Sequence, residues 1–114
     1  MQTLERTGRK SINKTTTSTS RIGDYWEIHV TKEALLRGAE VYRNVSCTGQ
    51  TDLILKWNNM LLECDVKQMR KQLNIWKSPG RPNRKSTHIL VNPETEEIRW
   101  KKGKAPLGWE DFWN

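Results

Sequence analysis

Two apolar runs, Leu53 to Trp57 and Met60 to Val66, are separated by the dipeptide Asn58-Asn59. No other stretch limits the fold of this chain as strongly. Asparagine tolerates the positive φ of a two-residue hairpin turn, so the runs are expected to be antiparallel strands over residues 52–57 and 60–67. With that turn, Trp57 faces Met60. Counting outward pairs Lys56 with Leu61, Leu55 with Leu62, Ile54 with Glu63, Leu53 with Cys64 and Asp52 with Asp65. Side-chain alternation then puts Leu53, Leu55, Trp57, Met60, Leu62, Cys64 and Val66 on one, apolar face. The other face carries Asp52, Ile54, Lys56, Leu61, Glu63, Asp65 and Lys67.

The charged face raises a question of charge balance. Directly opposed residues have Cβ atoms about 4.5–5.5 Å apart, and like charges there destabilise a sheet. Asp52 facing Asp65, with Glu63 close by, calls for a compensating cation. Lys67, two residues beyond Asp65, supplies one charge, and a hard divalent ion would supply two. Mg²⁺ characteristically takes one or two carboxylates and keeps several waters. Such a site suits phosphodiester hydrolysis, with a lysine to orient or stabilise the reacting groups. Two plainer arrangements also satisfy the pattern: one carboxyl protonated, or the pair placed at a solvated sheet end.

The distribution of charge points to a polyanionic partner. The 114-residue chain carries a formal charge of +7, a property that bears on partners and not on fold. No acidic residue occurs between Asp65 and Glu94, whereas Lys67, Arg70, Lys71, Lys77, Arg81, Arg84 and Lys85 all do. Arg99, Lys101, Lys102 and Lys104 follow. A nucleic acid would relieve their mutual repulsion, although a solvated lysine-rich loop has the same composition. Residues 1–21 hold few apolar groups and the run Thr15 to Ser20, together with Arg6, Arg9, Lys10, Lys14 and Arg21. They read as a flexible basic arm or a plain solvated tail. Residues 22–114 are long enough for one domain with one core.

Along that domain, Ile22, Trp26 and Val30 recur every four residues, with Tyr25, Ile28, Leu35 and Leu36 widening the stripe. The spacing predicts a helix over 22–37, stopped by Gly38. Residues 40–45 alternate as a strand. Met69, Leu73 and Trp76 recur at helical steps and predict a second helix over 68–77, followed by a basic Pro/Gly loop. A strand over 87–91, a turn at 92–95 and a returning strand at 96–100 make a C-terminal hairpin, and the aromatic segment 106–113 is expected to dock on the body. The fold class is α/β: a central mixed sheet flanked by helices, with an extra C-terminal hairpin.

Thr51-Asp52, a spacer of strand length, and Asp65-Val66-Lys67 resemble the signature of the PD-(D/E)XK nucleases, whose core is that of restriction endonucleases. The resemblance covers residues 22–68, and the spacing is similar to that of archaeal Holliday-junction resolvases. Phage and mobile-element nucleases, some homing endonucleases among them, share the core. Thr51 stands in place of the nominal proline, Glu63 is an added acid, and the chain from Thr87 onward departs from the resolvase pattern. The resemblance implies that Asp52 and Asp65 bind Mg²⁺ or Mn²⁺, with the Val66 carbonyl as a further ligand. It assigns Lys67 to the attacking water or scissile phosphate, Glu27 to the acidic cluster and Ser46 to a phosphate contact. Glu27, three residues after Asp24, could equally close a capping box.

The function expected on these grounds is metal-dependent DNA endonuclease action on duplex or branched DNA by a homodimer. A non-catalytic nucleic-acid-binding protein with the same fold is the rival, and RNA is an alternative substrate. Arg70, Lys71, Lys77, Arg81, Arg84 and Lys85 are the expected backbone contacts, with Trp76 placed to stack on a base. His29 and His88 lack any ligand or nucleophile spacing and read as structural or surface residues. Cys64 reads as a buried thiol, and Cys47 and Cys64 are not spaced as a zinc pair. No apolar run is long enough to span a bilayer and no signal-peptide segment is evident, so no membrane partner is expected. The expected compartment is intracellular: the cytoplasm, or that of a host cell if the chain is viral.

Overall fold

The computed structural model describes residues 19–45, 51–72, 75–77 and 86–114. Most of the expected basic arm, together with Ser46, Arg81, Arg84 and Lys85, lies outside the described residues. The helix of the described residues, α1, spans Thr19–Leu36. It ends where Gly38 takes φ 90° and the N–H groups of Arg37, Gly38 and Ala39 turn back to the carbonyls of Ala34 and Leu35, as a glycine-terminated helix does. Trp26, Val30 and Ala34 form its buried stripe. Tyr25, Ile28, Leu35 and Leu36 do not widen it; all four are exposed. A helix resting on one sheet face buries positions about four apart, and these four point away from that face.

Among the described residues seven strands follow: β1 (Glu40–Arg43), β2 (Leu53–Trp57), β3 (Met60–Gln68), β4 (Arg70–Gln72), β5 (Ile75–Lys77), β6 (Thr87–Val91) and β7 (Ile98–Trp100). Five make one sheet in the order β1-β2-β3-β6-β7, while β4 and β5 pair separately. Within the large sheet β3 and β6 run parallel, and the remaining neighbours are antiparallel. This is the expected mixed α/β core, with one α-helix among the described residues. Asn58 and Asn59 both take positive φ, 51° and 63°, so the turn has the backbone twist a two-residue hairpin needs. The β2–β3 register is the one counted from that turn, from Trp57 opposite Met60 to Leu53 opposite Cys64. The Asp52 N–H donates to the carbonyl of Cys64, the register partner of Leu53, at 2.9 Å, so the regular pairing ends at Leu53 while Asp52 stays held to β3.

The second predicted helix is absent among the described residues. Gln68 instead finishes β3, and Arg70–Gln72 and Ile75–Lys77 form the β4–β5 ribbon, with Lys71 opposite Trp76. The cause is pairing with a distant strand. Gln68 lies beside Val91 of β6, and the Met69 N–H donates to the Val91 carbonyl at 2.9 Å. Met69 is thereby buried at a strand end, and its helical spacing to Leu73 and Trp76 has no bearing on the outcome.

One face of the large sheet packs on α1, with Leu53, Leu55, Cys64, Ile89, Val91 and Trp100 in a shared core. The C-terminal segment docks there as expected. Phe112 sets its ring edge-on to Trp57 at 4.9 Å, and Trp109 lies 5.4 Å from the same indole. Gly108 takes φ 90° just before Trp109, and a β-carbon there would lie 2.7 Å from the Met60 sulfur. Gly108→Ala is therefore expected to lower unfolding free energy by about 1–2 kcal/mol, chiefly through the left-handed backbone. Urea denaturation measures this, and an unchanged midpoint would show that the segment docks without that turn.

Candidate active site

The hairpin register brings Asp52 and Asp65 together at the end of β2. Asp65 sits on β3 with 6% of its surface exposed. Asp52 is half-buried, and its Oδ2 accepts the Val66 N–H at 2.9 Å, so the carboxylate takes up a strand donor where β2 has run out. Burial raises the Asp52 pKa from 3.8 to about 6; the adjacent Asp65 carboxyl adds to the rise and the Val66 N–H opposes it. Lys67, two residues along the same strand, puts Nζ 3.4 Å from Asp65 Oδ2.

Parallel pairing adds His88, which sequence spacing alone places among structural or surface residues. His88 on β6 lies beside Asp65 in register, and in a parallel pair register neighbours project from the same face. His88 is buried, with Nε2 3.6 Å from Asp65 Oδ2. Its Nδ1 lies 3.5 Å from Lys101 Nζ. Burial, and then the charges of Lys101 and Lys67, hold the His88 pKa below the ordinary histidine range. The only local signal is a polar residue at the head of the apolar run Ile89-Leu90-Val91, and it does not reveal which strand lies alongside.

Glu27 stands mid-helix, well past the start of α1 at Thr19, which removes the capping-box reading. Its Oε1 accepts from Arg43 Nη2 at 3.2 Å. Burial first, and then the Asp52 charge, raise its pKa, so Glu27 belongs electrostatically to the Asp52 neighbourhood. Glu63 is exposed and accepts the Thr51 hydroxyl at 3.0 Å; Thr51 also meets Ser86 at 2.8 Å, tying the starts of β2 and β6 together. Cys64 is a buried thiol as expected, and burial pushes its pKa up to about 12, followed by the charges of Asp65, Asp52 and Glu63. It is no nucleophile at neutral pH.

Among the described residues no group of three or more His, Cys, Asp or Glu side chains could hold a metal by itself. The pair Asp52 and Asp65 still fits Mg²⁺ or Mn²⁺, because such an ion takes one or two carboxylates and fills its remaining positions with water or substrate oxygen. The raised Asp52 pKa reflects in part the repulsion that a cation would relieve. A separate cleft of about 650 Å³, lined by His29, Arg37, Glu96, Trp100 and Trp113 among others, includes none of Asp52, Asp65, Lys67 or His88.

Of the expected nucleic-acid contacts, Arg70 and Lys71 are exposed on β4. Lys71 Nζ lies over the Trp76 ring, 5.6 Å from its centroid. The backbone of Lys77 ends β5. Among the described residues no helix is long and apolar enough to cross a membrane.

Compared with solved structures, the chain is similar to a bacterial homing endonuclease, I-Ssp6803I. The TM-score is 0.62 at 22% sequence identity, over 72% of this chain and 63% of that one. The likeness is one of fold. The chain spans less than two thirds of that structure's length. No protein-family model matches the chain, and no curated protein matches it.

The Asp52 shift fixes a pH dependence. The folded state holds the Asp52 proton more tightly than the unfolded chain, so this group's contribution to stability falls as pH rises from 3.8 to about 6. In metal-free protein, Asp52→Asn is expected to be the more stable form above about pH 6. The gain is about 1 kcal/mol once the half-exposure of the carboxyl is allowed for, and it should shrink toward pH 4. Urea unfolding of both proteins in EDTA across this range measures it, and a gap that stays constant with pH would contradict the assignment.

Proposed function

We propose that the chain is a Mg²⁺- or Mn²⁺-dependent DNA endonuclease of the PD-(D/E)XK type. The supporting observation is Asp52 brought against Asp65 by the hairpin register, with Lys67 3.4 Å from Asp65, in a fold similar to that of a homing endonuclease. Asp52 and Asp65 would hold the ion, with the Val66 carbonyl as a further ligand and Glu27 supporting the acidic cluster. A bound ion would supply Lewis acidity to the phosphoryl oxygens.

The protein's own groups do the rest. Lys67 places its ammonium beside Asp65, where it can orient the attacking water or steady charge on the scissile phosphate. The water oxygen bonds to phosphorus as the bond to the leaving sugar oxygen breaks, and that oxygen takes up a proton. A protein that only bound nucleic acid would gain nothing from two facing carboxylates, which repel phosphate. Two cuts in a duplex or at a branch need two sites, and a homodimer provides them. The chain would act inside a cell, where reduced cysteines fit.

The test is cleavage of a linear duplex and a branched DNA, with Mg²⁺ or EDTA, by wild type and Asp65→Ala. Cutting is expected in Mg²⁺ alone, with at least a ~100-fold loss in Asp65→Ala, in keeping with the several kcal/mol that charge stabilisation supplies. Preference for the branched substrate would make the activity resolvase-like; equal cutting of both would favour a homing-type enzyme. Binding without cutting, indifferent to metal and mutation, would leave the non-catalytic reading. Matched RNA duplexes settle the sugar.

The β4–β5 ribbon is the proposed backbone contact, supported by Arg70 and Lys71, with Lys77, Ser46, Arg81, Arg84, Lys85 and the N-terminal arm completing it. Substituting both Arg70 and Lys71 by Ala is expected to weaken binding to all sequences alike. The slope of log K against log salt should fall by about 0.9 for each phosphate that the protein no longer neutralises. An unchanged slope would remove the ribbon from the interface.

A further inference from the structure

We infer that His88 is a positioning residue for the Asp65 carboxylate, held in its working tautomer by Lys101. The inference rests on the reading of Asp52 and Asp65 as a divalent-cation site.

Three observations carry it. First, β3 and β6 are parallel with Asp65 and His88 in register, so the two side chains leave the same sheet face side by side. Second, two neighbours of the imidazole bear on where its hydrogen sits. An ammonium has donors and no acceptor; with Lys101 Nζ 3.5 Å from Nδ1, Nδ1 accepts and the ring hydrogen sits on Nε2. Nε2 in turn lies 3.6 Å from Asp65 Oδ2, within reach of a small adjustment to a hydrogen bond. Third, the same Oδ2 faces Lys67 at 3.4 Å. One oxygen of Asp65 is thus turned toward two donors. Burial of His88 keeps water from competing for that carboxylate oxygen. A group that orients a ligand in this way typically changes metal affinity by about 10–100-fold when lost.

Lys101 gives the arrangement an outward end. It opens the short 3₁₀ turn Lys101–Gly103 directly after β7, whose Trp100 pairs with Ile89 of β6. The strand that carries His88 and the segment that carries Lys101 are therefore locked together by the sheet.

The experiment is calorimetric titration of Mn²⁺ into wild type, His88→Leu, His88→Gln and Asp65→Ala, each checked for folding by circular dichroism. Glutamine keeps an N–H near the position of Nε2; leucine does not. His88→Leu is expected to weaken Mn²⁺ binding by about 10–100-fold, while His88→Gln stays within about threefold of wild type. In cleavage assays the His88→Leu defect should appear in the Mn²⁺ concentration for half-activity and be largely overcome at saturating metal. Wild-type affinity in His88→Leu, or equal losses in the Leu and Gln variants, would overturn the inference and leave the Asp52–Asp65 site standing. Wild-type affinity in Asp65→Ala, or no binding by wild type, would bring down the site and the inference with it. A second measurement needs no variant: nitrogen-15 NMR of the His88 ring in native protein at neutral pH. The hydrogen is expected on Nε2, and a hydrogen on Nδ1 would overturn the inference whether or not His88→Leu folds.

Discussion

The register of the β2–β3 hairpin is the constraint on which the rest of the structure depends. It is set at the turn, where two asparagines take positive φ, and it propagates to the far end because the side-chain period is two. A slip of one residue would send Asp65 and Lys67 into the core beneath α1 and bring Cys64 and Val66 to the charged face. Six apolar residues from Leu53 to Cys64 oppose such a slip, since each would leave the face that packs on Trp26, Val30 and the C-terminal aromatics. The energy that places the acidic pair is therefore hydrophobic and lies on the opposite side of the sheet.

That arrangement lets the fold tolerate an unfavourable cluster. Asp52 and Asp65 repel, Glu27 feels the Asp52 charge, and His88 is buried beside two lysines that disfavour its protonation. Local devices moderate the strain without removing it: the Val66 N–H on Asp52, Lys67 on Asp65 and Arg43 on Glu27. Perturbed groups of this kind gather at functional sites more often than elsewhere. The pattern agrees with a site that reaches electrostatic balance only when a cation and a phosphate are bound.

Much of this was legible in the sequence wherever the determinant was local. The Asn-Asn turn and strict alternation gave the hairpin, its register and the facing aspartates; four-residue spacing and Gly38 gave α1. The misreading of Met69 involves a partner distant in sequence, whereas that of Asp24 and Glu27 concerns where the helix starts. Met69 spaced itself like a helix from Leu73 and Trp76, yet the backbone of Val91 claimed it for a strand. Asp24 and Glu27 looked like a capping box because nothing nearby showed that α1 begins at Thr19. The position of His88 beside Asp65 was not legible because it comes from the parallel β3–β6 pairing, and no turn residue encodes that register. Three of the six expected basic contacts, Arg81, Arg84 and Lys85, fall outside the described residues, so the sequence remains the ground for including them.

The central claim is that a divalent cation sits between the strand ends carrying Asp52 and Asp65. Fe²⁺ with ascorbate and peroxide cuts a polypeptide beside the place where the iron binds, and mass spectrometry of the fragments reads that place directly. The expected result is cleavage clustered at residues 52 and 65–67, suppressed by excess Mg²⁺ and lost in Asp65→Asn. Cleavage clustered instead at the acidic turn Glu94 to Glu97, or cleavage at the strand ends that Mg²⁺ does not suppress, would contradict it.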